Sequence, residues 1–220
     1  MAVLNDYEFD ITRELFSIAL ANAADAFSKM SNEKVMLKGF EAHFMEGEDI
    51  PALVASFASD EFYVLGTEIK GKMRGKTYFL LQRQDIQTLF KIFAPPAVHQ
   101  IASDGQLSDI QQDILLELDN ILSAAVVTQI ANFLEVFIYG DIPKYHLKAA
   151  ASLQTQLLQD VGSLRTVMHI RTQFQSYHTN MSPSFLCFFE DELVAVIREM
   201  IATKQDKILQ KIKASKEGKS

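Results

Sequence analysis

Three polar residues in one apolar helical segment have the types and the spacing that chemistry could use. Asp113, Glu117 and Asn120 stand at positions i, i+4 and i+7 within residues 108–134. On an α-helix this spacing stacks the side chains along one face. A carboxylate and a carboxamide three residues apart can therefore reach out together. Such an element is suited to enter the site of another protein and to position a water molecule there.

The same residues belong to a longer pattern that ends at Pro143, which follows Asn120 after a spacer of 22 residues. Asp or Ser, three residues, Glu, two residues, Asn, 22 residues and Pro is the signature of the CheC/CheX/FliY family of chemotaxis response-regulator phosphatases. The chain matches it at Asp113, Glu117, Asn120 and Pro143 and so resembles this family, most closely its CheC-like members. From spacing alone a solvated helix face would be the more common explanation of Glu117 and Asn120, and the resemblance favours the functional one. For Asp113, a surface or local structural role stays as open as direct contact.

A second, altered copy of the pattern precedes the first. A shift of 103 residues places Asp10 on Asp113, Glu14 on Glu117 and Ser17 on Asn120. Phe40 stands where the spacing would put the proline. A serine hydroxyl is shorter than a carboxamide and offers fewer donors. We therefore interpret the first site as degenerate and the second as intact, in a chain built from an internal repeat.

The resemblance implies an α+β fold in which two pseudo-symmetric α-β-β halves form one sheet with two long helices on one face. We expect one domain over residues 1–205, with halves of about 1–97 and 104–205, followed by a Lys-rich tail at 206–220. Hydrophobic periodicity and turn residues predict the elements. They are helices at 9–29, 85–93, 147–161 and 190–207, two strands in 61–81 joined at Gly71 and Gly75, and strands at 164–174 and 185–189.

Composition excludes several function classes. The net charge of −7 argues against a nucleic-acid partner. No uninterrupted apolar run reaches the roughly 18 to 20 residues that a membrane helix needs, and the acidic opening has no signal-peptide layout. The five histidines show no metal-ligand spacing, so we expect no metal site. The single cysteine, Cys187, lies in an apolar run and favours a reduced, cytoplasmic protein.

The activity implied by the resemblance is hydrolysis of the aspartyl-phosphate of a CheY-like receiver domain. Asn120 would orient the attacking water and Glu117 would pair with a lysine of the receiver. The receiver would supply the Mg²⁺, so the chain needs no cofactor of its own. The alternative is a non-catalytic module that docks on a receiver, a CheD-like protein or a flagellar-switch protein. A homodimer formed through the Ala-rich first helix also stays open.

Overall fold

The computed structural model describes residues 5–57, 59–164, 166–175, 180–181 and 183–201, so the predicted tail at 206–220 lies outside the described residues. The described helices are α1 (Asp6–Ser31), α2 (Ile50–Ser56), α3 (Arg83–Phe93), α4 (Asp109–Leu134), α5 (Ala150–Leu164) and α6 (192–201). The strands are β1 (Met36–Met45), β2 (Glu61–Gly71), β3 (Gly75–Leu81), β4 (Ile138–Gly140), β5 (Lys144–Ala149), β6 (Thr166–Gln175), β7 (Asn180–Met181) and β8 (Ser184–Phe189).

All eight strands form one antiparallel sheet. Its order is β1-β6-β8-β3-β2-β4; β5 continues the β4 edge by pairing with β2, and β7 pairs with β6. The outer strands are exchanged between the halves, because β1 pairs with β6 and β5 pairs with β2. Strands β3 and β8 join the halves at the centre. The predicted α+β fold with two pseudo-symmetric halves is confirmed.

The two long helices repeat each other in length and in their ends. Both have 26 residues, and their N-caps Asn5 and Ser108 are 103 residues apart, each with a capping box. Their C-caps, Asn32 and Glu135, are separated by the same shift and both adopt the left-handed conformation with φ of 55°. The two helices therefore repeat at an interval of 103 residues, the same interval that separates Asp10 from Asp113.

Helices α1 and α4 lie side by side on one face of the sheet, as predicted. On α1, a stripe of apolar side chains at helical spacing is buried: Phe16, Ala19, Ala23 and Phe27. The other face of the sheet is covered by α2 and α5 over a second apolar cluster that includes Phe62 and Leu157. Both faces of the sheet are thus covered, and the site helix α4 rests on a packed core.

Among the described residues, α4 is the one helix whose length and composition would suffice to cross a membrane. Polar residues interrupt it, so it lacks the uninterrupted apolar run considered above. In this fold its apolar side chains Leu115, Leu118, Leu122 and Val126 are fully buried in the core that α4 shares with α1 and the sheet.

Several predicted elements differ from those observed. The strands predicted within 61–81 are confirmed as β2 and β3, but β1 was not predicted at all. The helix predicted from Leu147 is wrong at its start, because residues up to Ala149 form β5 and α5 begins at Ala150. The last predicted helix is described over 192–201 only.

Candidate functional site

Helix α4 presents the three predicted residues together at its surface. Asp113, Glu117 and Asn120 are exposed, because the buried stripe of the helix, which includes Leu115 and Leu122, lies on its other side. Among the described residues, no hydrogen bond or ion pair to these three side chains is found. They are therefore available to a partner without first breaking an internal contact.

The N-terminus of α4 is fixed by polar contacts. The Ser108 hydroxyl accepts a hydrogen bond from the backbone N–H of Gln111. The side-chain Oε1 of Gln111 in turn accepts one from the backbone N–H of Ser108 at 2.9 Å. The Gln111 Nε2 group also donates to the carbonyl oxygens of Val98 at 2.7 Å and Gln100 at 3.0 Å. These bonds satisfy groups that a helix start leaves unpaired. They also tie α4 to the segment that links the two halves.

The middle of α4 is joined to the sheet by a buried polar cluster of Thr67, Asp119 and Ser123. The Thr67 hydroxyl on β2 donates to Asp119 Oδ2 at 2.8 Å. The Ser123 hydroxyl donates to the Asp119 carbonyl oxygen at 2.6 Å and lies 3.4 Å from Thr67 Oγ1. Asp119 is 0% exposed, and its Oδ1 atom has no hydrogen-bond partner. The residue directly before the exposed Asn120 is thus a buried carboxyl of which one oxygen accepts a hydrogen bond.

Burial decides the protonation of this carboxyl. Removal from water disfavours the charged form and raises the pKa of Asp119 to about 7, although the hydrogen bond from Thr67 acts in the opposite direction. Asp119 also lies close enough to Cys187 on β8 that its charge adds to the effect of burial, and both raise the pKa of that thiol. Cys187 is a free, buried cysteine.

Pro143 lies on the edge of the sheet, level with the middle of α4. Gly140 of β4 pairs with Ile69 and Lys144 of β5 pairs with Gly66, so residues 141–143 pass Thr67 and Glu68. Thr67 is the residue that bonds Asp119, so the turn that contains Pro143 passes the position of β2 to which the middle of α4 is bonded. The proline itself is buried. Its side chain is therefore not part of the exposed surface.

The turn that holds Pro143 is anchored on β2. The Asp141 amide donates to the Glu68 carbonyl at 2.8 Å, and the Asp141 carboxylate pairs with Lys70 and accepts from the Ile142 amide. The hydrogen bond and charge of Lys70 lower the pKa of Asp141. Ile142 is 80% exposed at the tip of this anchored turn. The anchored turn thus presents an apolar side chain to solvent at the edge of the sheet.

The first half does not reproduce this surface. Asp10 is exposed, but Glu14 and Ser17 are half-buried. Phe40, at the position of the expected proline, lies in β1 with the Arg13 guanidinium 5.8 Å from its ring centroid. The structure therefore presents the second set of residues and partly covers the first.

The candidate site lies on a helix surface and not in a cleft. Two clefts, of about 470 and 540 Å³, are lined by other elements and by none of Asp113, Glu117 and Asn120. No group of three His, Cys, Asp or Glu side chains that could hold a metal is found in the described part of the chain. Taken together, the arrangement offers two carboxylates and one amide to a partner.

Sequence reasoning missed Asp119 and its bond to Thr67. A signal was present, because Asp119 follows Leu115 by four residues and precedes Leu122 by three, which places it in the buried stripe. Its partner on β2 is 52 positions away. That pairing depends on how the helix lies on the sheet, which spacing within α4 does not determine.

Solved structures with a similar fold include flagellar proteins. FliY from Thermotoga maritima matches with a TM-score of 0.65 and 18% identity, over 92% of this chain and 99% of that chain. A chain of the FliG–FliM complex from H. pylori matches with a TM-score of 0.59 and 12% identity, over 87% and 100%. CheX from Desulfovibrio desulfuricans matches with a TM-score of 0.46 and 13% identity, over 80% and 99%. No family model matches the sequence, and no curated protein is significantly similar to it. The likenesses to FliY and to the FliG–FliM chain confirm the fold expected from the resemblance to the CheC/CheX/FliY proteins.

Proposed function

We propose that this protein is a phosphatase that hydrolyses the aspartyl-phosphate of a CheY-like receiver domain. The observation that carries the proposal is the exposed pair of Glu117 and Asn120 on α4, in a fold shared with FliY and within the complete spacing to Pro143. The receiver supplies the acyl phosphate, the Mg²⁺ and a lysine. This chain supplies the two side chains that reach into that site.

The reaction needs little more than positioning. Water attacks phosphorus in line with the bond between phosphorus and the aspartyl oxygen, that bond breaks, and the products are inorganic phosphate and the free aspartate. Phosphoryl transfer depends mainly on orientation and charge stabilisation. Asn120 orients the water through its side-chain amide, which can both accept and donate a hydrogen bond. Glu117, one turn before it on the same face, pairs with the receiver lysine and aligns the docking.

The surroundings of the pair fit a protein partner. The exposed stripe of α4 carries two carboxylates, Asp113 and Glu117, which would attract a basic group. Ile142, in the turn that pairs with β2, is a further exposed apolar side chain that a protein partner could cover. The Mg²⁺ enters with the receiver. This setting is cytoplasmic, which the free buried thiol of Cys187 supports.

Phosphate release from a panel of phosphorylated receivers tests the proposal. We expect the protein to accelerate release from at least one receiver on the order of 10²-fold, the range of a well-placed polar group. Asn120→Ala should remove this acceleration with a change in stability within about 0.5 kcal/mol, as is usual for surface positions. Asn132→Ala is the matched control, since Asn132 is another exposed asparagine on α4. If Asn120→Ala keeps full activity, the assigned site is wrong.

A non-catalytic docking module is the second candidate. A chain of a complex between FliG and FliM from H. pylori has this fold with a TM-score near that of FliY, and the altered first site lacks the asparagine. Under this candidate the chain binds a flagellar-switch protein, a CheD-like protein or a receiver without changing it. Binding of a phosphorylated receiver with an unchanged rate of phosphate release would favour this function over the first.

A further inference from the structure

The two long helices differ in polarity at two corresponding buried positions. Under the shift of 103 residues that relates their N-caps, Asp119 corresponds to Phe16 and Ser123 to Leu20. Phe16 and Leu20 are buried apolar residues, whereas Asp119 and Ser123 are buried polar ones. The half that carries the intact set of exposed residues therefore has a side-chain hydrogen bond between the middle of its helix and the sheet, at positions where the other half has apolar residues.

A polar contact constrains a helix in a way that apolar packing does not. Apolar burial is not directional, so the leucines of α4 turn its buried stripe towards the sheet but do not by themselves fix the rotation to within a few degrees. The bond from Thr67 Oγ1 to Asp119 Oδ2 is directional, at 2.8 Å, and joins the middle of α4 to a central position of β2. No apolar replacement of Asp119 would keep that constraint.

We propose that Asp119, held by Thr67, is a positioning residue that fixes the rotation of α4 and thereby the place of the Asn120 side chain. The residue does not touch the reacting atoms. It acts through the helix, because Asn120 is the next residue and lies about 100° round the axis from it. The proposal rests on the function assigned to Asn120 above, and its structural part can be tested without that function.

The geometry makes small rotations costly. A side chain extends about 5–6 Å from a helix axis, so a rotation of about 10° moves its tip by about 1 Å. A misplacement of about 1 Å can cost on the order of 10²-fold in rate. The unpaired Oδ1 of Asp119 is a buried polar atom that an apolar residue would not bring. Its presence fits a residue that serves orientation more than stability.

Thr67→Val and Thr67→Ser are the paired variants that test the proposal. Thr67→Val keeps the shape but removes the donor, and we expect it to lower the turnover of the phosphorylated receiver by about tenfold or more. Thr67→Ser keeps a hydroxyl and should stay within about twofold of the wild-type turnover. Affinity for the receiver carrying a beryllofluoride acyl-phosphate mimic should be nearly unchanged in both, because the exposed surface remains.

Phe16→Leu is the matched control for loss of stability. Phe16 occupies the position of α1 that corresponds to Asp119 in α4. The substitution alters the core there without removing a partner of the hydrogen bond between Thr67 and Asp119. Thermal unfolding of all three variants shows whether each is folded at the assay temperature. A turnover loss in Phe16→Leu equal to that in Thr67→Val would show a general effect of core damage and would overturn the proposal. Unchanged turnover in Thr67→Val would do the same.

A second readout separates this proposal from the proposed function. The side-chain amide of Asn120 gives an NMR cross-peak that reports its surroundings whether or not the protein is active. We expect Thr67→Val to shift this cross-peak, and Thr67→Ser and Phe16→Leu to leave it in place. If no receiver is dephosphorylated, the phosphatase function fails while this shift still supports the positioning role. An unshifted cross-peak in Thr67→Val overturns the positioning role.

Discussion

Glu117 and Asn120 are exposed on one face of α4, and the carboxylate is expected to meet a cation of the receiver. We expect Glu117→Lys to weaken binding of the phosphorylated receiver, because it places like charges together. The loss should be largest at low salt and should shrink as ionic strength rises. Titration of a receiver that carries an acyl-phosphate mimic measures it. Asp25→Lys makes the same charge change at an exposed position of α1 and serves as the control. Equal affinities of wild type and Glu117→Lys would remove Glu117 from the interface.

Asp119 gives the unfolding free energy a dependence on pH whose sign follows from its burial. Its pKa is about 7 in the folded protein and near 3.8 when exposed, so between these values the folded state binds the extra proton. Stability from this group is therefore present at low pH and is lost as the pH rises towards 7, by at most about 1.4 kcal/mol per pH unit. Among the groups that face it, Thr67 and Ser123 do not titrate in this range. The raised pKa of Cys187 keeps that thiol neutral there.

Asp119→Asn removes this titration. Urea unfolding at a series of pH values from 4 to 8 should give a flatter dependence for the variant than for the wild type. The stability difference between the two proteins should then shift in favour of the variant as the pH rises. Parallel curves would mean that the Asp119 carboxyl does not change its protonation in this range.

How far the site could be predicted also differs from residue to residue. The exposure of Glu117 and Asn120 follows from their spacing relative to the leucines of α4, since a helix with one apolar stripe must turn its other side to water. The place of Pro143 next to β2 did not follow from its spacing. It depends on the pairing of Gly140 and Lys144 with β2. The role of Asp119 requires knowledge of the same sheet.

At the level of elements, strands β2 and β3 were predictable because glycines mark their junction. Gly71 has a φ of 118°, and the chain reverses there into the turn before Gly75. Strand β1 was missed because it is an edge strand with mixed burial and with a register irregularity at Gly39. Strand β5 was assigned to a helix because the sequence passes from Ala149 into α5 with no glycine or proline between them.

Helix α1 tests whether the degenerate half contributes to activity. Ser17 is half-buried where Asn120 is exposed. We expect Ser17→Ala to leave turnover nearly unchanged, because a short, partly covered hydroxyl cannot reach a receiver in place of an amide. For the same reason Ser17→Asn should restore little activity to an Asn120→Ala protein. Phosphate-release rates of the single and double variants decide this. A large loss in folded Ser17→Ala would show that the first half takes part in the reaction.

Across the whole molecule, the exchange of outer strands is what holds the site. Helix α4 comes from the second half, while Thr67, which anchors Asp119, lies on β2 of the first half. The edge turn with Pro143 comes from the second half but pairs with β2 as well. Neither half can therefore build the surface around Asn120 from its own strands.

This interlocking predicts that residues 1–205 fold as one domain. A fragment of residues 1–98 would keep the β2–β3 pairing but lose the pairings of β1 with β6, β2 with β5 and β3 with β8. We expect it to show no cooperative unfolding transition by circular dichroism, and we expect addition of a fragment of residues 99–220 to restore such a transition.

The intact chain should unfold in a single transition in urea, with circular dichroism and tyrosine emission coinciding; the chain has six tyrosines and no tryptophan. The tyrosines report on both halves, since Tyr63 and Tyr78 lie on β2 and β3 and Tyr145 lies on β5. A cooperative transition in either fragment by itself, or two separate transitions in the intact protein, would show that the halves are independent domains.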